Sequence, residues 1–171
     1  MVFSVPRIYY TAEFYKEGLL ASRIKSGKFY NPETQPWYRL DNVGNYTFSD
    51  YKVIWKEQAS SFAVVAIGPY STLPKSVIEL FNGLDKPVVV DSKVLMLATE
   101  SIDEAYYISA ILNSQSIIDI IDAYAVNLNR GIDVLKNIRI PKFDIDEPLH
   151  TKISKISGQI HEKAKCDSDF R

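Results

Sequence analysis

The clearest pattern of apolar and polar residues lies at the C-terminal end of the chain. Leu149, Ile153, Ile156, Ile160 and Ala164 recur at intervals of 4, 3, 4 and 4 residues. On an α-helix this spacing places them within an arc of about 80°. The pattern predicts an amphipathic helix at the end of the chain whose apolar stripe packs against the body of the protein or against a partner.

Other helices are predicted from capping residues and apolar spacing. Residues 101–114 begin with Ser101 and have Glu104 three positions later, which is the arrangement of a capping box. The apolar residues that follow surround the axis, so this helix should be buried on several sides. Residues 116–126 predict a second helix in a new direction, and residues 11–27 predict one near the N-terminus.

A β-hairpin is predicted in the aromatic-rich first third of the chain. Residues 37–43 and 46–57 have strand-like patterns and are separated by Gly44-Asn45, a favoured two-residue turn. In the second arm, apolar residues alternate with Lys52 and Lys56. One face of this arm is therefore expected to be apolar, and the other is expected to offer two ammonium groups.

Further strands complete the predicted fold. Residues 62–67 (FAVVAI) predict a fully buried strand, and residues 86–97 predict one bent strand or two strands. Residues 133–144 predict a short turn and a strand that ends at Pro141. Because strands and helices do not alternate as βαβ units, we expect an α+β fold with a mainly antiparallel sheet flanked by helices and a C-terminal amphipathic helix. A lead-in of residues 1–36 precedes the main domain of residues 37–171, and together they should form one compact domain.

Composition and charge narrow the class of protein. A chain of 171 residues corresponds to one domain, and its single cysteine, Cys166, allows no internal disulfide. We expect a cytoplasmic protein without a membrane span, because the first 30 residues lack a secretion signal and no apolar run is long enough. The net charge of -1 argues against a free-standing nucleic-acid binder, which is usually basic.

Known catalytic motifs are absent from the sequence, but one group of charged residues resembles a nuclease site. The sequence lacks a phosphate-binding loop, a nucleophile elbow, a dinucleotide-binding glycine turn and a zinc-protease helix. Asp91 and Lys93, preceded by Glu79 or Asp85, have the acid-x-Lys spacing with which metal-dependent nucleases hold a cation and position water. The alternative is a strand-end turn with solvated charges.

Two groups of side chains could contact DNA. Of 21 aromatic residues, 13 fall within the first 55 positions, where core packing explains most of them and contact with nucleic acid or protein is the alternative. Basic residues beside them could position phosphates. Asparagine and arginine side chains in a later loop have the bidentate geometry that matches adenine and guanine edges, although a plain polar loop would look the same. The phosphate candidates are Arg39, Lys52 and Lys56, and the base-edge candidates are Asn127, Asn129 and Arg130.

Four stretches of the chain together resemble a known family. They resemble, in order, the C-terminal target-recognition region of adenine-specific DNA methyltransferases of restriction-modification systems, especially the large fused type II enzymes with a TaqI-like specificity domain. The likeness extends from about Trp37 to Lys165. The stretches are YTFSDYKVIWKE at residues 46–57, KPVVVDSKV at 86–94, EAYYISAILNS at 104–114, and IRIPKFD at 138–144 with His150 downstream.

The resemblance implies a module that reads sequence in double-stranded DNA. A catalytic domain, in the same polypeptide or in a partner chain, would flip out an adenine and methylate it from S-adenosylmethionine. The only Asn-Pro pair here, Asn31-Pro32, lacks the second proline and the aromatic residue of the family's catalytic tetrad. We therefore expect a non-catalytic chain with no cofactor of its own, which looks like a fragment of the parent enzyme.

Two alternatives remain open at the level of sequence. One is a protein-interaction subunit that docks through its C-terminal helix, and the other is a metal-dependent nuclease built on Asp91 and Lys93.

Overall fold

The chain forms two compact units, Met1–Val43 and Gly44–Arg171. The predicted division after residue 36, and the expectation of one compact domain overall, stay predictions. In the first unit, residues 16–18 and 20–21 are helical, as predicted. A computed structural model describes residues 16–18, 20–21, 31, 33–35, 43–69, 86–90, 93–124, 135–136 and 138–166.

A three-stranded antiparallel sheet forms the centre of the second unit. The middle strand is β1, with β2 on one side and β3 on the other. Val53 of β1 is paired with Ala66 of β2 and with Leu97 of β3. The strands are β1 (Tyr51–Lys56), β2 (Val64–Ile67) and β3 (Val94–Thr99).

The predicted hairpin around Gly44-Asn45 is wrong. Asn45–Phe48 form a turn of 3-10 helix instead of strand, and the Gly44 N–H donates to Oγ1 of Thr47 at 3.1 Å. β2 and β3 pair with β1 along its two edges, and residues 37–42 of the predicted first arm lie outside the described residues. The sequence identified β1 correctly as a strand but assigned it the wrong neighbour.

Two other strand predictions also need correction. β2 was expected to be fully buried, but Val64 and Ala66 are buried while Val65 is 46% exposed, which is the alternation of an edge strand with one covered face. Residues 138–144 are not a strand, although Ile138 and Ile140 pack against the core. Of residues 86–97, the described part contains strand from Val94 onward.

Three helices in the described part of the second unit confirm the predicted helices at residues 101–114, at 116–126 and at the C-terminal end. They are α1 (Ile102–Leu112), α2 (Gln115–Tyr124) and α3 (Pro148–Cys166). Ser101 caps α1 as predicted, since its Oγ accepts from the Glu104 N–H at 3.1 Å. The Glu104 carboxylate reaches back one residue further than expected and accepts from the Glu100 N–H at 2.8 Å. The α+β architecture with a C-terminal helix is thus confirmed.

The hydrophobic core lies between the sheet and α1. α1 contacts β1 and β2 on one side and α3 on another, as expected for a helix with apolar residues around its axis. Within the described part of the chain, no helix is long and apolar enough to cross a membrane. The buried core residues are Val53, Trp55, Phe62, Val64, Ala66, Ala105, Leu112 and Ile121.

Candidate functional site

α3 packs on α1 through small and polar residues, not through its apolar stripe. Ser154 and Ser157 are buried, whereas Leu149 and Ile160 are 60% and 62% exposed. The prediction allowed the stripe to pack against the body or a partner. The first of these two alternatives, that the whole stripe packs against the body of the protein, is wrong.

The packed face of α3 is a second series with helical spacing. His150, Ser154, Ser157 and His161 recur at intervals of 4, 3 and 4 residues, and at about 100° per residue they lie roughly a quarter turn from the apolar stripe. Both histidines of the chain lie on this face. Ser154 lies four residues after His150, and Ser157 lies four residues before His161. This helical spacing was the signal that could have identified the packed face.

Aromatic rings of α1 explain why small residues are needed opposite them. The ring of Tyr106 lies 5.0 Å from that of His161, and a Cβ at Gly158 would lie only 3.1 Å from Cε2 of Tyr106. The ring of Tyr107 lies 4.6 Å from that of His150. Large aliphatic side chains on this face would displace α3 from α1.

Hydrogen bonds between buried hydroxyl groups connect the same two helices. The Oγ atoms of Ser109 and Ser157 are 3.2 Å apart, and Ser109 Oγ also donates to the Tyr106 carbonyl at 3.0 Å. Ser154 Oγ donates to Asp103 at 3.4 Å. The interface is therefore polar as well as close-packed.

The outer edge of β2 is covered by side chains from the helices. The Val64 N–H donates to Oδ1 of Asn113 at 2.9 Å, and Nδ2 of Asn113 donates to the Val64 carbonyl at 2.7 Å. The Ala66 N–H donates to Nε2 of His161 at 3.0 Å. These side chains form hydrogen bonds with backbone N–H and carbonyl groups that an edge strand would otherwise offer to another strand.

The hydrogen bonds of His161 define its tautomer. Because Nε2 accepts from the Ala66 N–H, the ring proton is on Nδ1, which donates to the Ser157 carbonyl at 2.8 Å. His161 is therefore neutral in this arrangement, with both ring nitrogens hydrogen-bonded.

A groove runs between β2 and the C-terminal half of α3. Its volume is about 440 Å³, within the range of ligand pockets in proteins. Ile67, Ile102, Ile160 and Ala164 contribute apolar surface, and His161 lies beside them. Such a lining suits an apolar side chain of a ligand.

The two predicted phosphate contacts on β1 differ in exposure. Lys52 is fully buried and its ammonium group donates to the Ser49 carbonyl, so the prediction that it is offered to solvent is wrong. Burial lowers the pKa of Lys52, while the nearby Asp50 charge opposes that shift. Lys56 is exposed at the end of the strand, as predicted.

The register of the sheet explains the burial of Lys52. It lies in the middle strand between Ile67 of β2 and Ala98 of β3, which flank its stem on both sides. Lys56 pairs with Val94 of β3 at the end of the ladder, beyond the last residue pair with β2. Alternation along one strand cannot reveal this difference, since both lysines point to the same face.

Four of the predicted DNA contacts belong to other parts of the chain. The phosphate candidate Arg39 and the base-edge candidates Asn127, Asn129 and Arg130 lie outside the described residues. The same holds for the carboxylates of the nuclease hypothesis, Glu79, Asp85 and Asp91, whereas Lys93 is an exposed turn residue. Within the described part of the chain, no group of three or more His, Cys, Asp or Glu residues could hold a metal ion.

Sequence reasoning missed a group of lysines on α3. Lys152, Lys155 and Lys163 are exposed on the side of the helix away from its polar packed face. Lys165 forms an ion pair with Glu162, with 2.6 Å between Nζ and Oε1. The helix therefore offers positive charge as well as apolar surface to solvent.

Comparisons of the chain with protein-family models, with curated proteins and with solved structures find no match. Function must therefore be inferred from the residues and contacts of the chain itself.

Proposed function

We propose that this chain is the DNA-recognition module of an adenine-specific DNA methyltransferase of a restriction-modification system. It would hold and read double-stranded DNA for a catalytic domain that binds S-adenosylmethionine. The resemblance of the four stretches motivates the proposal, and the contacts among those stretches are the observation that supports it most.

Residues from different stretches among the four that carry the family resemblance contact one another. The Tyr107 ring lies 5.4 Å from that of Phe143 and 4.6 Å from that of His150. The Asp144 N–H donates to Nδ1 of His150 at 3.1 Å. A scaffold shared with the family requires contacts of this kind, so they support the proposal.

The charge of α3 supports contact with phosphates. The whole chain has a net charge of -1, but this helix contains four lysines and one glutamate. Lys152, Lys155 and Lys163 are exposed along it. Such a local concentration of positive charge is what phosphate neutralisation needs, even where the overall charge is near zero.

Binding of the purified chain to duplex DNA tests the proposal. We expect binding at low salt to random-sequence duplex, with an affinity that falls steeply as salt rises, because phosphate contact releases counterions. Lys152→Gln together with Lys163→Gln should reduce the slope of log affinity against log salt by roughly two. Lys93→Gln, an exposed lysine on the turn before β3, is the matched control.

Two outcomes would contradict this proposal. Absence of binding at low salt would show that the chain does not contact phosphates itself. An identical salt slope in the double variant and in the control would remove α3 from the interface.

Base reading needs a separate experiment with a reconstituted methyltransferase. Alanine at Asn129 and Arg130 should relax or abolish the choice of methylation site, because bidentate contacts discriminate bases by about 1–3 kcal/mol each. Methylation of an unchanged set of sites would contradict the assignment of these two residues.

A further inference from the structure

An exposed apolar stripe on α3 is left uncovered in the part of the chain that the structure describes. Leu149, Ile156 and Ile160 are between 48% and 62% exposed. They follow one side of the helix at spacings of 7 and 4 residues, which is the spacing of a contact surface for another helix. Grouped aliphatic side chains of this size on a surface usually mark an interaction site.

The groove beside β2 extends this stripe. Ile160 and Ala164 belong to the stripe and also line the groove, which Ile67 and Ile102 complete on the other side. With a volume of about 440 Å³, the groove can take large apolar side chains. Stripe and groove therefore form one continuous apolar surface.

The hydrogen bonds at β2 favour a helix over a strand as the occupant. A strand added at this edge would need the outward N–H groups of Val64 and Ala66, and these already donate to Asn113 and His161. A helix satisfies its own backbone and contributes only side chains. The groove beside the covered edge offers apolar side chains rather than free backbone groups.

The positive charge beside the stripe determines which kind of partner helix can bind there. Lys152 and Lys163 are exposed and, at about 100° per residue, border the stripe on the side opposite the packed face. In a two-fold antiparallel pairing of the stripe with a second copy, equivalent lysine rows would face each other, and like charges oppose such pairing. An acidic flank on the partner would instead be complementary.

We propose that the stripe and the groove dock an amphipathic helix of a partner protein whose apolar face is flanked by acidic side chains. The apolar face of that helix covers Leu149, Ile156 and Ile160, its acidic flank faces Lys152 and Lys163, and one large apolar residue enters the groove. This inference does not depend on DNA binding.

A designed peptide pair tests the proposal on the full chain. The probe is a fluorescent helical peptide of about 20 residues with leucines at positions i, i+3, i+4 and i+7 and glutamates on both flanks. Its twin carries lysines in place of the glutamates. By fluorescence anisotropy, we expect the acidic peptide to bind at least ~10-fold more tightly than the basic twin, with the difference shrinking as salt rises.

Variants of exposed residues then locate the site. Ile156→Ser with Ile160→Ser should weaken binding of the acidic peptide by ~10-fold or more, because burying even one isoleucine side chain raises the affinity by about that factor. Lys152→Glu with Lys163→Glu should reverse the preference between the peptides. The control is Tyr124→Ser, which replaces a residue of α2 that is 64% exposed. Circular dichroism of each variant verifies the fold.

Four results would overturn the proposal. They are equal affinity for both peptides, affinity that the isoleucine pair does not change, a stable dimer by light scattering that the isoleucine pair dissociates, and binding of anionic phosphatidylserine vesicles without binding of the acidic peptide. The last two would assign the surface to a second copy and to a membrane, respectively.

Discussion

Removing the hydroxyl group of Ser109 should destabilise the protein more than removing that of its partner Ser157. Ser109 has one hydroxyl proton, which it donates to the Tyr106 carbonyl at 3.0 Å, so across the 3.2 Å contact it must accept from Ser157. In Ser157→Ala, Ser109 keeps its acceptor. In Ser109→Ala, the Ser157 hydroxyl loses the oxygen to which it donates while remaining buried.

The magnitudes follow from this asymmetry. Ser157→Ala loses one neutral hydrogen bond, about 1 kcal/mol, and regains about 0.5 kcal/mol from the higher helix propensity of alanine. Ser109→Ala loses the same bond and also the bond to the Tyr106 carbonyl. It regains the same helix propensity and adds about 1 kcal/mol for a buried unsatisfied hydroxyl, for a net loss of about 2.5 kcal/mol. In the double variant the shared bond is lost only once and the unsatisfied hydroxyl disappears, so its cost should fall below the sum of the single costs by about 2 kcal/mol.

Urea unfolding of the four proteins in this double-mutant cycle measures these differences. Trp55 is buried in the core and reports unfolding by fluorescence, and each free energy of unfolding comes from linear extrapolation. Strict additivity of the two substitutions, or a larger cost for Ser157→Ala than for Ser109→Ala, would refute the donor assignment and the contact between α1 and α3 with it.

Four more substitutions test the packing and the titratable side chains. Gly158→Leu should cost about 1–3 kcal/mol in thermal or urea unfolding, because a Cβ there already lies 3.1 Å from the ring of Tyr106; an unchanged stability would contradict the close approach. Lys52→Met should preserve or raise stability at pH 7 and leave DNA affinity unchanged, whereas Lys56→Met should weaken DNA binding. With its pKa lowered from 10.5, Lys52 binds its proton less tightly in the folded protein, so its contribution to stability improves as pH rises towards 10.5, and the methionine variant should lose this trend. Burial raises the pKa of Tyr107 above its ordinary value of 10.0; the unfolded chain then loses that proton first, stability falls above about pH 10, and Tyr107→Phe should reduce the fall in alkaline unfolding curves.

Local signals in the sequence were reliable where neighbouring residues determine the structure. Ser101 caps α1 because its hydroxyl oxygen needs only an amide three residues away. The strand at β1 follows from alternation along its own length. Its neighbours in the sheet depend on pairing with residues far along the chain, and no periodicity within β1 encodes that pairing.

Lys52 and α3 show where hydrophobicity alone gives the wrong answer. The stem of Lys52 is flanked by residues from two other strands, and its ammonium group donates to the Ser49 carbonyl, so a charged residue is buried. On α3, the most hydrophobic side is not the packed side, because Tyr106 and Tyr107 already fill the space opposite. The fit of rings against serine, glycine and histidine decides the orientation of the helix.

In this orientation, the three sides of α3 have different roles. The side with Ser157 and His161 fixes the helix to α1 and covers the edge of β2, so it is committed to the fold. The leucine and isoleucine stripe and the lysine side remain exposed and are proposed to contact a partner helix and DNA. If both proposals hold, substituting Ile156 and Ile160 affects peptide binding and leaves the salt dependence of DNA binding intact. Substituting the lysines affects both, because the partner's acidic flank and DNA phosphates would then compete for the same charges.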